Sequence, residues 1–210
     1  LNHPIEICYG TNNLNTGNII TLGDNIGKIT VIGLEIPWWT LNGASSSLEA
    51  TAANYQADNR ISFIQNLDDI GMPYNCEGWA QSCGTESFDI VNDGNAVAMN
   101  DYFLFDLFAL DNYWHNIIII DDDMVFRHFI STCEPTFPNV STLQESIEEI
   151  LFEMDYIIGD INYDGVLNIL DVVFLANGIL DGTYDWYSDI NQDQIINIQD
   201  IILLVNLILT

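Results

Sequence analysis

A duplicated segment near the end of the chain constrains the fold more than any other feature. Residues 160–171 read DINYDGVLNILD, and residues 189–200 read DINQDQIINIQD. Both place oxygen-bearing side chains at loop positions 1, 3, 5, 9 and 12, the spacing with which a twelve-residue loop surrounds a calcium ion. The sequence therefore predicts two calcium-binding loops, each followed by an apolar helix. The alternative is a pair of Asx-rich surface turns.

The two loops offer donor sets of the same kind, each completed by a main-chain carbonyl at position 7. The predicted ligands are Asp160, Asn162, Asp164, Val166, Asn168 and Asp171 in loop one, and Asp189, Asn191, Asp193, Ile195, Asn197 and Asp200 in loop two. Position 6 requires a left-handed backbone, which Gly165 adopts easily and Gln194 adopts at a cost of roughly 1–2 kcal/mol. We therefore expect two calcium ions, with loop two weaker or slightly reshaped.

Residues 156–210 resemble a type I dockerin, in which two loop–helix halves each close with Asp. The resemblance implies two structural calcium ions and, in cellulosomes, binding to a cohesin. Loop positions 10 and 11 are often small hydroxyl residues in such dockerins, but here they are Ile169-Leu170 and Ile198-Gln199. The last helix is apolar on nearly every face and requires burial. We therefore predict a protein partner for this segment, either a second copy or a cohesin-like receptor.

The charge balance narrows the class of partner and the compartment. The chain has 31 acidic residues against three Lys or Arg, a formal net charge of −28. Such a surface argues against binding to nucleic acid or anionic membranes. No apolar run reaches the roughly 18 residues of a membrane span. Four cysteines, calcium loops and a sequence that begins at Leu1, as after removal of a secretory signal or shortening of the chain, predict an extracellular or cell-surface protein.

Residues 1–155 alternate strand-like and helical patterns, which predicts an α/β domain. Strands are expected at 28–36, 60–65, 116–121 and 124–130, and helices at 46–56, 101–110 and 143–154. From about residue 20, this order resembles a thioredoxin-like (redoxin) domain; a generic α/β sandwich is the alternative. The predicted fold class is thus a thioredoxin-like sandwich, residues 1–155, followed by a small all-α calcium-loop module, residues 156–210.

The resemblance to thioredoxin-like domains implies a CxxC motif after the first central strand. This chain has Pro37-Trp38-Trp39-Thr40 there, and Trp114-His115-Asn116 at the place of the family's cis-proline. A thiolate nucleophile cannot be built from these residues. The sequence therefore predicts a redox-inactive domain, with Trp38 and Trp39 either exposed as a binding platform or buried under the next helix.

Four cysteines allow three disulfide pairings, and spacing does not choose among them. We prefer Cys76 with Cys83, within one loop, and Cys8 with Cys133. A zinc site is the alternative, although no histidine lies at finger-like spacing. Asn139 begins an Asn-Val-Ser glycosylation sequon.

These observations predict a non-enzymatic secreted or cell-surface protein without catalytic residues. Its calcium-stabilised module would mediate assembly with other proteins, for example in a self-assembling extracellular filament. One alternative is a secreted thiol–disulfide redox protein that uses Cys76 and Cys83. Another is a cohesin-docked accessory protein that binds a ligand through Trp38 and Trp39.

Overall fold

The computed structural model divides the chain into two compact units, Leu1–Leu151 and Phe152–Thr210. The division falls slightly before the predicted boundary between residues 155 and 156. The structure describes residues 1–10, 15–35, 44–67, 74–83, 86–92, 103–108, 116–131, 140–182 and 186–210.

The first unit is built on a seven-stranded sheet with helices between the strands. Its strands are β1 (Ile5–Tyr9), β2 (Ile19–Ile20), β3 (Ile29–Glu35), β4 (Ile61–Leu67), β5 (Asp89–Asn92), β6 (Asn116–Ile120) and β7 (Phe126–Ser131). Its helices are α1 (Ala44–Asn54), α2 (Cys76–Cys83), α3 (Phe103–Leu107) and α4 (Val140–Asp155), the last of which extends past the division between the units.

The strand order is β2-β1-β5-β4-β3-β6-β7. β3, β4 and β5 run parallel, whereas the remaining pairs are antiparallel. β3 pairs with β4 from Ile29 opposite Ile61 to Glu35 opposite Leu67. The apolar, β-branched sequences of β3 and β6 suit this position, because central strands of such a sheet are covered on both faces. The carboxyl ends of the three parallel strands therefore lie at one edge of the sheet.

Apolar side chains cover both faces of the sheet. One face carries Ile32, Leu34, Ile64, Val91 and Ile118, and Leu104 of α3 packs on it. The alternation of β-strand side chains places Leu67 and Ile90 on the opposite face, against Trp79 of α2. Burying each of these side chains stabilises the fold by about 1.5–3 kcal/mol.

Helix α1 packs closely against β3 because one strand residue has no side chain. A Cβ atom at Gly33 would collide with the side chains of Gln65 and Leu48. Leu48 lies on α1 and Gln65 on β4, so Gly33 lets the helix and the neighbouring strand approach.

The second unit has two helices, each preceded by one of the duplicated loops. They are α5 (Ile169–Asp181) and α6 (Ile198–Leu209), with a short 3-10 helix at Trp186–Ser188 between them. Ile161, Leu175 and Leu204 form its buried centre. α5 ends at Gly182, whose φ of +66° is the left-handed conformation that commonly terminates helices.

No helix in the described part of the chain is both long and apolar enough to cross a membrane.

Candidate functional site

A disulfide joins Cys8 of β1 to Cys76, the first residue of α2. The Cα atoms are 5.9 Å apart, within the usual range for a disulfide, and the two residues are separated by 68 positions. The bond thus ties α2 to a strand that comes much earlier in the chain.

The predicted pairing of Cys76 with Cys83 is wrong. Both residues belong to α2 and stand at its two ends. A rise of 1.5 Å per residue separates their Cα atoms by about 10 Å, well beyond the reach of a disulfide. Because Cys76 bonds to Cys8, the predicted Cys8–Cys133 pair is wrong as well.

The two sulfur-bearing residues differ in accessibility. Cys76 is only 5% exposed and packs with Leu67, Trp79 and Ile90. Cys8 is partly buried beside this cluster. An approaching thiol therefore has better access to Cys8 than to Cys76.

The start of α2 is capped next to the disulfide. The Gly78 N–H donates to Oδ1 of Asn75 at 2.8 Å, and the Trp79 N–H donates to the Asn75 carbonyl at 2.9 Å. Asn75 is thus the N-cap, and Cys76 occupies the first helical position. The positive end of the helix dipole favours a thiolate at this position once the disulfide is reduced.

The first duplicated loop points its carboxylates inward through main-chain hydrogen bonds. Oδ1 and Oδ2 of Asp160 accept from the N–H groups of Asp164 and Gly165, at 3.2 and 2.8 Å. Oδ1 of Asp171 accepts from the Ile161 N–H at 2.9 Å, and its Oδ2 accepts from the Asn168 N–H at 2.8 Å. The loop therefore fixes both its first and its last carboxylate.

The second loop repeats this pattern at the equivalent positions. Asp189 accepts from the N–H groups of Asp193 and Gln194, at 3.1 and 2.6 Å. Asp200 accepts from the N–H groups of Asn191 and Asn197, at 3.3 and 2.8 Å. Two stretches with different apolar residues thus adopt one local structure.

Position 6 of each loop is left-handed, as the spacing requires. Gly165 has a φ of +77° and Gln194 a φ of +69°. Position 4 is left-handed too, with φ values of +57° at Tyr163 and +58° at Gln192. Loop two therefore holds two non-glycine residues in a conformation that disfavours side chains.

The donor chemistry of both loops suits a hard cation such as calcium. Asp160, Asp171, Asp189 and Asp200 are each at most 5% exposed, and residues 155–210 contain no Lys, Arg or His to pair with them. The described residues contain no group of three or more His, Cys, Asp or Glu that could by itself hold a metal ion. Each loop instead combines carboxylates with asparagine side chains and a carbonyl, a mixture of oxygens that calcium accepts.

Several residues that the sequence pointed to lie outside the described residues. They are Trp38, Trp39, Trp114, His115, Cys133 and Asn139. Sequence reasoning missed the β1–α2 connection, although β1 shows a period-two alternation in Ile5-Glu6-Ile7 that could have marked it as a strand.

No family model and no curated protein matches the chain. Solved structures do match it. A protein from Chlorobium tepidum assigned as the thiol:disulfide interchange protein DsbE is 13% identical, with a TM-score of 0.52, over 71% of this chain and 94% of its own. A Neisseria meningitidis protein assigned as a thioredoxin is 14% identical, with a TM-score of 0.51, over 64% of this chain and 82% of its own.

A secreted disulfide oxidoreductase of Mycobacterium tuberculosis, homologous to Escherichia coli DsbE, is 14% identical with a TM-score of 0.50. The match covers 67% of this chain and 92% of that protein. The fold is thioredoxin-like. The predicted thioredoxin-like α/β class is therefore confirmed, with an additional helical part.

The predicted function, a non-enzymatic protein that assembles through residues 156–210, is wrong. The fold is shared with proteins described as thiol–disulfide oxidoreductases, and this chain carries the Cys8–Cys76 disulfide. The dockerin resemblance on which the assembly role depended finds no support in the comparisons. The findings favour the thiol–disulfide alternative, with Cys8 rather than Cys83 as the partner of Cys76.

Proposed function

We propose that this protein is a secreted thiol–disulfide redox protein whose redox couple is Cys8–Cys76. The observation that carries the proposal is the position of the disulfide: one cysteine begins a capped helix and is buried, and the other is more accessible. The thioredoxin-like fold supports it, although the couple does not occupy the CxxC position. An oxidising extracellular compartment fits a chain that holds such a disulfide.

Because Cys8 is more exposed than Cys76, an external thiol should attack Cys8 first. The thiolate of an external thiol attacks Sγ of Cys8, the S–S bond breaks, and its electron pair leaves on Sγ of Cys76. A second external thiolate then attacks the external sulfur of the mixed disulfide and releases Cys8 as a thiolate. Two external thiols become one disulfide, and the two protons and two electrons they lose reduce Cys8–Cys76 to two thiols. The α2 N-terminus stabilises the leaving thiolate of Cys76, which speeds the first step.

Trapping experiments test this order. In Cys76→Ser, Cys8 should react with oxidised glutathione and hold a mixed disulfide detectable by mass spectrometry. In Cys8→Ser, the buried Cys76 should react at least about tenfold more slowly, as expected for a protected thiol. Cys83→Ser is the matched control, because Cys83 ends the same helix without belonging to the couple. It should leave exchange unchanged.

The proposal fails if native protein exchanges with glutathione only as fast as it unfolds in the same buffer. The bond would then be a structural staple that is opened by unfolding. Equal reactivity of the two single-cysteine variants would refute the assigned direction.

We further propose that the two duplicated loops each bind one calcium ion. Residues that would hold the first ion are Asp160, Asn162, Asp164, Val166, Asn168 and Asp171; for the second they are Asp189, Asn191, Asp193, Ile195, Asn197 and Asp200. Bound calcium supplies positive charge to buried carboxylates. The chain's own main-chain N–H groups already orient Asp160 and Asp171, and likewise Asp189 and Asp200, toward the loop interior. To this extent the dockerin resemblance of residues 156–210 remains a proposal.

Calcium titration calorimetry and terbium luminescence test the loops without any enzymatic readout. Wild-type protein should bind two ions. Asp171→Asn and Asp200→Asn should each weaken one site about 10- to 100-fold, because each removes a charged ligand. Tyr163 lies within loop one, so Asp171→Asn should lower tyrosine-sensitised terbium emission more than Asp200→Asn does.

The matched control is Asp181→Asn, which removes an exposed carboxylate of the same unit outside both loops. It should change neither the stoichiometry nor the affinity. If Asp181→Asn weakened binding as much as Asp171→Asn, the ions would be held by general negative charge, and the assignment to the loops would be refuted.

A further inference from the structure

A cleft lies at the amino ends of the three parallel strands. Its volume is about 460 Å³, within the range of small-molecule sites. Lys28 comes directly before β3, Ile61 begins β4, and Ser87 comes shortly before β5. The turn after α1, which includes Tyr55, completes the cleft. The cleft is thus at the opposite edge of the sheet from the carboxyl ends where ligands of open α/β sheets usually bind.

Two aromatic rings form an apolar wall of this cleft. The rings of Tyr55 and Phe63 are stacked, with centroids 6.4 Å apart and planes at 25°. Ile61 and Ala52 extend the apolar surface. An aromatic ligand prefers such offset stacking over contact with aliphatic groups alone.

The Tyr55 ring is held in a neutral, fixed state. Its hydroxyl donates to Oε1 of Glu148 at 2.6 Å. Burial, followed by this hydrogen bond and the Glu148 charge, raises the Tyr55 pKa well above its ordinary value. The phenol therefore adds no negative charge to the wall at physiological pH.

The cleft contains one cation without an anionic partner. Lys28 is the chain's single lysine, and among the described residues it forms no ion pair with a carboxylate. Asp58, which also lines the cleft, is already neutralised by Arg60 at 2.8 Å. Hydrogen bonds from Arg60 lower the Asp58 pKa, so this pair stays ionised. Lys28 is therefore the group with which a ligand can form a new charge pair.

We propose that this cleft binds a small aromatic carboxylate. The carboxylate pairs with Lys28, and the aromatic ring lies against Tyr55 and Phe63. Asn59 and Ser62 line the same space and offer further hydrogen-bond donors. Of the two carboxylates that line the cleft, Asp58 is paired with Arg60, so Glu86 is the one that opposes an anion. Acidic residues more than about 8 Å away are screened at physiological ionic strength. A single base suits one carboxylate rather than a polyphosphate or a nucleic acid.

Binding of 3-phenylpropionate, followed by NMR chemical shifts or calorimetry, tests the proposal. The uncharged 3-phenylpropanamide and the cationic 3-phenylpropylamine serve as controls. They have the same phenyl ring and chain, so a difference in affinity reports the contribution of the carboxylate charge. We expect a dissociation constant of about 1 mM for the carboxylate, typical of so small a ligand. The amide should bind about tenfold more weakly, and the amine should not bind measurably.

Variants of the cleft identify the groups involved. Lys28→Gln should weaken carboxylate binding about 10- to 100-fold, the loss expected for a charge-assisted hydrogen bond. Lys28→Arg should retain affinity within a few-fold, which also shows that the position tolerates substitution. Phe63→Leu should weaken binding of both the carboxylate and the amide several-fold, because these ligands share the same ring. Glu86→Gln, which removes a carboxylate from the same cleft, should leave carboxylate binding unchanged or tighter.

The proposal is overturned if the amine binds more tightly than the carboxylate, or if folded Lys28→Gln binds 3-phenylpropionate as wild type does. Reduction of Cys8–Cys76 should not change the affinity, since neither cysteine lines the cleft. The outcome is therefore independent of the redox function.

Discussion

Reduction of the Cys8–Cys76 bond should lower the free energy of unfolding of the first unit. The two cysteines are separated by 68 residues. In the loop-entropy model, a cross-link over a loop of this length stabilises the fold by about 4 kcal/mol. The reduced protein should therefore unfold with a free energy about 4 kcal/mol lower than the oxidised protein.

Urea unfolding at pH 7, with and without a phosphine reductant, measures the difference. The protein should carry Cys83→Ser and Cys133→Ser, so that only one disulfide can form. A difference below about 1 kcal/mol would refute the loop-entropy estimate.

Three further changes have defined outcomes. Gln194→Gly should tighten calcium binding by loop two several-fold, because glycine adopts the left-handed conformation at φ +69° without strain. Gly165→Ala should have the opposite effect on loop one, and calorimetry measures both affinities. Asn66→Leu should raise the free energy of unfolding by about 1–3 kcal/mol in urea titrations, because neither polar atom of the buried amide has a hydrogen-bond partner among the described residues. Tyr55→Phe should lower the free energy of unfolding by about 1 kcal/mol at pH 7, because it removes the hydrogen bond to Glu148. The Tyr55 pKa is raised in the folded protein, so wild-type stability should fall above pH 10 and the difference between the two proteins should shrink there. A difference that stayed constant from pH 7 to 11 would contradict the raised pKa.

The central strands could be predicted from the sequence because their signal is local. The apolar runs at β3, β4 and β6 are long enough to be distinguished from loops, and the structure places all three side by side. β5 has only four residues and β2 only two, too few to show a period. The place of β5 in the sheet is set by pairing with β4 and with β1, which is distant in sequence.

The cysteine pairing could not be predicted because it depends on a helix that the sequence hides. Gly78 and Gly84 suggested a loop around Cys76 and Cys83, in which a short-range disulfide would be possible. Tertiary packing overrides the weak loop propensity of these glycines, because the fully buried Trp79 anchors α2 against the sheet. Cys76 and Cys83 stand at opposite ends of this helix and cannot form a disulfide with each other. Cys76 then faces β1, where Cys8 is available.

The loops of the second unit illustrate the opposite case, since their geometry follows from side-chain spacing alone. The short polar side chains bond to main-chain N–H groups of the same twelve-residue loop, so no partner outside the loop is needed. Their buried carboxylates nevertheless lack a base, because residues 155–210 contain nine Asp and no Lys, Arg or His. Main-chain N–H groups offset only part of the cost of burying four such charges. The local pattern that fixes the fold of the loops therefore buries four carboxylates that a bound cation would stabilise. This is the strongest physical argument for the proposed calcium ions.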